Sequence, residues 1–235
     1  MKPAITALAF LTALQRLGKT PPEPHRIGAM AGCFPLTGLI LGVALLLSDR
    51  LLQPHLDSEV LSAVLVLELA LLTGGMSLDA LRGTFARLPG SLSFGGSGTG
   101  ETSGLLALFF VLMLKVRTIE VAGDSRSIDL LLAPVFGRWA LVIYLYGAAA
   151  AAGEPLRSIA AGVRPLQLFL ATAIALVLAV YLLGRGALWI GLVVSLATLL
   201  ARSCFGKWAG APSLDGAGGV VELAETLALL LLSVL

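Results

Sequence analysis

Seven long runs of apolar residues follow one another along this chain, and they restrict its fold more than any other feature. The runs cover residues 27–47, 60–76, 103–114, 130–152, 166–183, 187–201 and 220–235. A helix needs about 20 apolar residues to cross a hydrocarbon core of about 30 Å, and most of the runs approach that length. They are continuous rather than alternating, and backbone groups in lipid must be paired within their own segment. The sequence therefore predicts an all-α, polytopic integral membrane helical bundle with about six or seven transmembrane helices.

The composition leaves too little polar surface for a soluble protein. Of 235 residues, 57% are hydrophobic and only 13% are charged, whereas a soluble domain has about a quarter of its residues charged. The lipid bilayer is therefore the expected surrounding of most of the chain, and residues 1–235 read as a single membrane-embedded domain. A net charge of +2 is too small to indicate a nucleic-acid partner. The sequence leaves the oligomeric state open, a homo-oligomer included.

Lysine and arginine are distributed unevenly between the segments that link the runs. If the chain has seven spans, one side of the membrane has the N-terminal segment and every second link after it, and this side carries ten basic residues. The links on the other side carry five, and Lys115 is assigned to one of them. Cytoplasmic loops are enriched in lysine and arginine. The sequence therefore predicts a cytoplasmic N-terminus, with residues 77–102 and 202–219 on the same side of the membrane.

Four charged residues fall inside the apolar runs, where an ionised group is costly and usually has a specific reason: Glu68, Arg138, Glu222 and Glu225. Glu222 and Glu225 are three residues apart and share one helical face. A buried guanidinium needs a carboxylate partner, so Arg138 is predicted to pair with Glu222 or Glu225. Two interpretations stay open: an ion pair that holds helices together, or the lining of a polar cavity for a charged substrate.

Two aspartates lie in glycine-bearing segments that the charge count places on one face of the membrane. Asp79 follows Gly74-Gly75, and Asp215 lies within residues 210–219. Mg²⁺ is commonly bound by one or two carboxylates together with substrate phosphates, so this pair is a candidate metal site for phosphoryl transfer. Between them, the glycine-rich residues 90–100 are either a flexible loop or a backbone cradle for phosphate.

Five motifs, in order along the chain, resemble those of one enzyme family. They are FLT at residues 10–12, FPLTG at 34–38, LTGGMSLD at 72–79, LAPVFGRWA at 132–140 and DGAGGVVELAE at 215–225. Together they resemble the adenosylcobinamide-GDP ribazoletransferase (cobalamin synthase) family of bacterial membrane enzymes. The resemblance implies a multi-pass protein of the bacterial inner membrane.

The resemblance also implies a reaction and a set of site residues. Members of the family join adenosylcobinamide-GDP to α-ribazole, or to its 5′-phosphate, in the last steps of cobalamin biosynthesis; they release GMP and use Mg²⁺. We therefore expect adenosylcobinamide-GDP and α-ribazole as substrates and Mg²⁺ as cofactor. The expected catalytic residues are Asp79, Asp215 and Arg138, the expected metal ligands are Asp79 and Asp215, and the expected substrate-binding residues are Arg82, Arg87, Glu222 and Glu225.

The segment after Asp79 departs from the family pattern. Gly83 and Ala86 stand where the family has aspartates, and Ser77 stands where it has histidine. The loss of these acids beside Arg82 and Arg87 moves the segment from cation binding toward anion binding. The two arginines are expected either to clamp a substrate phosphate or to anchor the segment to acidic lipids.

Three functions are compatible with this sequence. The first is a Mg²⁺-dependent ribazoletransferase that works with a reduced set of acids. The second is a catalytically impaired relative that serves as a membrane scaffold or corrinoid-binding protein. The third is a small-molecule transporter, which the intramembrane charges favour but which no inverted repeat supports. Turnover and the corrinoid and base specificity are not determined by the sequence.

Overall fold

A computed structural model describes residues 23–88 and 100–234. Those residues form α-helices and two short 3-10 turns, without a strand, which confirms the all-α prediction. The α-helices are α1 (Pro24–Ala29), α2 (Phe34–Leu52), α3 (Ser58–Leu72), α4 (Met76–Ala86), α5 (Glu101–Val121), α6 (Arg126–Leu145), α7 (Leu156–Ala161), α8 (Pro165–Leu183), α9 (Gly186–Ala209) and α10 (Leu214–Leu232).

The number of spans agrees only approximately with the predicted six or seven. Four segments of the described chain are long and apolar enough to cross a membrane, and they contain α2, α6, α8 and α9. The bent pair of α3 and α4 raises the number to five if it counts as one span. Helices α5 and α10 have comparable lengths and contain charged residues, and they are not among these four segments.

Helix α6 lies at the centre of the bundle and packs against α2, α8, α9 and α10. Its close contact with α2 depends on Gly38 and Gly42, which are four residues apart on one face of α2. A β-carbon at Gly42 would lie 2.6 Å from the carbonyl oxygen of Leu131, and one at Gly38 would collide with the carbonyl of Pro134. These small residues let the two backbones approach, as is common between helices in membranes.

A sharp break separates α3 from α4. Gly74 and Gly75 both have positive φ, 67° and 69°, a conformation that favours glycine, and the two helices meet at 90°. Helix α4 therefore lies across the end of the bundle, where it packs against α5 and α10. This end also contains the last turns of α6 and α9 and the first turn of α10, so it gathers the segments that the sequence predicted to share one side.

Several helix boundaries differ from the ends of the apolar runs, and two of them matter for the site. Helix α6 ends at Leu145 rather than at residue 152, and α5 continues to Val121 although its run ends at residue 114. The extension of α5 places Lys115 inside a helix and only 2% exposed. The assignment of Lys115 to a loop opposite the N-terminal side was therefore wrong. The charged residues near the end of α5 interrupt the apolar run, so the run ends before the helix does.

Candidate functional site

A cleft of about 330 Å³ opens at the end of the bundle where α4 crosses it. Its polar lining includes residues from three separate helices: Ser77 and Asp79 on α4, Arg138 on α6, and Asp215 on α10. Its opposite wall is apolar and is formed by Leu141, Leu145, Leu156 and Ile159. The structure thus brings the three residues expected to be catalytic to a single cleft.

Each cleft aspartate has an arginine partner. Nη2 of Arg82 lies 2.9 Å from Oδ1 of Asp79, one turn away on the same helix, and Nη2 of Arg87 lies 2.6 Å from Oδ2 of Asp215. The side chains of both pairs are partly exposed to solvent, so each pair contributes little to stability. These ion pairs can therefore exchange partners readily when a charged ligand enters.

The residues present do not fit a cation held by the protein alone. The carboxylates of Asp79 and Asp215 already lie on guanidinium groups, which repel a metal ion. Within residues 23–88 and 100–234 there is no group of three His, Cys, Asp or Glu side chains that could hold a metal, and residues 1–22 and 89–99 contain none of these residue types. Binding of Mg²⁺ at Asp79 and Asp215 stays a prediction.

A buried charge network lies beneath the cleft and consists of Lys115, Arg138, Glu222 and Glu225. Arg138 forms an ion pair with Glu225, which confirms the predicted partnership. Nζ of Lys115 lies 2.6 Å from a carboxylate oxygen of Glu222 and 2.6 Å from one of Glu225. Two cations and two anions meet here, so the network is electrically balanced within the bundle.

The cleft and the network are joined at two residues. Arg138 belongs to both, and Ser77 of α4 lines the cleft while its hydroxyl donates a hydrogen bond to Glu222. Glu222 and Glu225 are 4% and 1% exposed, and their polar contacts are with the network, Ser77 and Thr226. Their expected role in substrate binding stays a prediction, whereas their observed role is to fix Lys115 and Arg138.

Lys115 is the member of the network that sequence reasoning missed. It was counted as a loop residue because Arg117 and Glu120 follow it closely. One signal pointed the other way: Lys115 lies within the segment Leu112-Met-Leu-Lys115-Val116 and is flanked by apolar residues on both sides. A lysine in such a setting is a candidate partner for Glu222 and Glu225, because Arg138 is only one cation for two carboxylates.

The start of α10 fixes the position of Asp215. Oγ of Ser213 caps the helix by accepting a hydrogen bond from the amide of Gly216, 3.1 Å away. The hydroxyl of Tyr144 lies 3.3 Å from both the backbone nitrogen and the carbonyl oxygen of Ser213. Asp215 is thus in the first turn of a capped helix that is tied to the end of α6. Residues 90–99 of the glycine-rich segment lie outside the described residues.

Comparison with known proteins shows to which family the chain belongs. The cobalamin-5-phosphate synthase family model matches residues 3–86 and 97–233, nearly the whole chain. The chain belongs to this family. An adenosylcobinamide-GDP ribazoletransferase of Roseiflexus sp. (strain RS-1) is 31% identical over 237 aligned positions, and the alignment covers 95% of this chain and 86% of the relative. The enzyme of the same name from Pseudomonas savastanoi pv. phaseolicola is 32% identical over 247 aligned positions, and the alignment covers 97% of this chain and 100% of the relative. The search of solved structures found no significant match.

Membership in the cobalamin-5-phosphate synthase family confirms the resemblance that the five motifs indicated. Arg138 belongs to the motif at residues 132–140, and its partner Glu225 belongs to the motif at 215–225. The cleft aspartates Asp79 and Asp215 belong to the motifs at 72–79 and 215–225. The positions at which the sequence departs from the family motif also lie together, on α4. Gly83 is on α4 facing Asp215, and Ala86 ends the same helix.

Proposed function

We propose that this chain is a membrane transferase of cobalamin synthesis that joins adenosylcobinamide-GDP to α-ribazole, or to its 5′-phosphate, and releases GMP. The observation that carries the proposal is the meeting of Asp79, Asp215 and Arg138 in one cleft, in a chain of this family. The relatives' names supply the substrate and the reaction class.

In this reaction a ribose hydroxyl oxygen attacks the phosphorus atom that carries the cobinamide. The new bond is ribose oxygen to phosphorus, and the bond that breaks joins that phosphorus to the oxygen shared with GMP. GMP leaves with the electron pair, and the hydroxyl proton passes to a base. Such a displacement depends mainly on alignment of the two substrates and on stabilisation of the charge on the phosphate oxygens.

The arginines of the cleft suit the binding of the diphosphate. Arg82 and Arg87 are partly exposed and form ion pairs with Asp79 and Asp215. A diphosphate that enters the cleft competes with these carboxylates for the two guanidinium groups. Guanidinium groups bind phosphate oxygens through paired hydrogen bonds. As Arg82 moves onto the phosphate, the carboxylate of Asp79 is released and serves as the base for the ribose hydroxyl. Arg138 remains paired with Glu225 at the lining of the cleft.

The size and polarity of the cleft favour binding of the nucleoside α-ribazole over binding of the corrin ring. A volume of about 330 Å³ is suited to a nucleoside and is too small for a corrin ring. The apolar wall that includes Leu141 and Leu156 therefore faces the base of α-ribazole, and the corrinoid stays outside the mouth of the cleft.

The assay uses purified protein in detergent with adenosylcobinamide-GDP and α-ribazole, and follows GMP release in millimolar Mg²⁺ or Mn²⁺. We expect release by the wild type and none by Asp79→Asn, which keeps the size of the side chain but removes the base. Addition of EDTA to the same assay tests the Mg²⁺ prediction. If the wild type releases no more GMP than Asp79→Asn, the enzyme proposal fails, and corrinoid binding without turnover becomes the function to measure.

The proposed location is the bacterial inner membrane, with the cleft on the cytoplasmic side. The excess of basic residues on the segments at that end supports this orientation. In a variant without Cys33 and Cys204, Ala211→Cys near the cleft should be protected from a membrane-impermeant thiol reagent in intact cells, and Gln53→Cys at the opposite end should be labelled. Labelling of Ala211→Cys alone would reverse the orientation.

A further inference from the structure

A second open cavity, of about 610 Å³, lies between the last turns of α9 and the segment that follows α6. Its lining includes Arg202, Ser203 and Lys207 on α9, Pro212 before α10, and Ala151. The lining contains no acidic residue. The cavity is separate from the cleft described above, and neither the family motifs nor the proposed reaction uses it.

The basic residues of this cavity retain hydrogen-bonding capacity. Nη1 of Arg202 donates to the carbonyl oxygen of Tyr146, 2.6 Å away, and contacts that of Tyr144 at 3.5 Å. A guanidinium has five N–H donors, and both of these contacts use the same nitrogen, so other donors remain for a ligand. Lys207 is exposed and forms no ion pair with any residue in 23–88 or 100–234.

An exposed apolar stripe leads along α9 to the cavity. Leu192, Leu196 and Leu199 lie at spacings of four and three residues and are 57%, 57% and 45% exposed. Ser203 continues the same face one turn further. Helix α9 is one of the four segments apolar enough to cross a membrane. We therefore expect this stripe to face lipid chains and the basic residues to lie at the membrane surface.

We propose that the cavity binds one anionic glycerophospholipid, with its phosphate on Arg202 and Lys207, its glycerol near Ser203, and an acyl chain along the leucine stripe. Charge complementarity and the continuity of the apolar stripe select a lipid over a soluble anion. Basic pockets between membrane helices bind anionic headgroups in the same way.

The site is connected to the cleft. Arg202 contacts the carbonyl of Tyr144, and the hydroxyl of Tyr144 contacts the backbone of Ser213, which caps the helix that carries Asp215. Residues 210–212 line the lipid cavity and lead directly into that cap. A bound lipid therefore restrains the segment that positions Asp215.

Native mass spectrometry of the protein in an uncharged detergent tests the binding. Phosphatidylglycerol should remain bound to the wild type at least about fivefold more than phosphatidylcholine, and Lys207→Gln should lower this retention about fivefold, the usual effect of one basic residue near an anionic surface. Arg185→Gln is the matched control, because it removes an exposed charge next to the other end of the same helix. Equal retention of the two lipids, or equal losses in Lys207→Gln and Arg185→Gln, would overturn the proposal.

Two further measurements distinguish a lipid from a soluble anion and test the connection between the cavity and Asp215. Glycerol phosphate, which carries the headgroup charge without acyl chains, should not displace the lipid; displacement at equal concentration would show a soluble-anion site instead. Phosphatidylglycerol should slow amide hydrogen exchange at residues 213–217 of the wild type, and less so in Lys207→Gln. Lipid binding with unchanged exchange there would overturn the connection to Asp215.

Discussion

Gly83 of α4 faces the carboxylate of Asp215 on α10: a β-carbon at position 83 would lie 3.1 Å from Oδ2 of Asp215. The missing side chain would therefore be directed at Asp215, at a position where the family motif that the sequence resembles has an aspartate. Asp215 is instead paired with Arg87.

Gly83→Asp should create affinity for a divalent cation in the substrate-free protein. The added carboxylate would lie beside Asp215, so a bound cation would face two carboxylates instead of one. An additional unit charge about 4 Å from the cation contributes more than 1.4 kcal/mol, which corresponds to a tenfold change in affinity. Mn²⁺ binding, followed by electron paramagnetic resonance, should therefore tighten by about tenfold or more. Gly83→Asn, which has the same size without the charge, is the control; equal Mn²⁺ affinity in both variants would contradict the prediction.

Arg138 and Glu225 should be energetically coupled. Removal of one member of a buried ion pair leaves the other charge unpaired and costs about 3–5 kcal/mol, so Arg138→Met should lower the thermal unfolding midpoint in detergent strongly. Adding Glu225→Gln should restore part of that loss, and more of it than Glu222→Gln does, because Arg138 contacts Glu225 directly. Additive effects of both acidic substitutions would show that the pair is not coupled.

Lys115→Met should destabilise the protein although it replaces a charge by an apolar group in an apolar environment. Lys115 lies 2.6 Å from both Glu222 and Glu225, and its loss leaves two carboxylates with a single cation. The expected cost is again about 3–5 kcal/mol. Lys207→Met, at an exposed lysine, should shift the unfolding midpoint little, and the same measurement compares the two. A midpoint for Lys115→Met equal to that of Lys207→Met would count against a structural network.

Gly137→Ala should be destabilising because Glu225 passes over this position. A β-carbon there would lie 2.5 Å from Cγ of Glu225, inside the packed interface of α6 and α10. Overpacking of this kind costs about 1–3 kcal/mol. Gly206→Ala is the matched helical glycine, where the nearest atoms would be 3.8 Å away, so it should be neutral or stabilising. The unfolding midpoints of the two variants should therefore move apart.

Several features of the molecule could be predicted without tertiary information. A bilayer requires each backbone segment to satisfy its own hydrogen bonds, so continuous apolar runs determine helices whatever surrounds them. The need of Arg138 for an acidic partner, and the shared face of Glu222 and Glu225, follow from charge and helical spacing alone. The five motifs determined the family, because their residues and order are properties of the sequence itself.

The tertiary structure decided which groups meet. The charges in the sequence did not show that Lys115 contacts both Glu222 and Glu225. They also did not show that the two aspartates expected to hold Mg²⁺ form ion pairs with Arg82 and Arg87. Local sequence also did not show that the 90° bend at Gly74-Gly75 carries α4 across the bundle and turns Gly83 toward Asp215. The physical reason is that ionic contacts act over a few ångströms between segments far apart in the chain, and only the packing of the helices sets those distances.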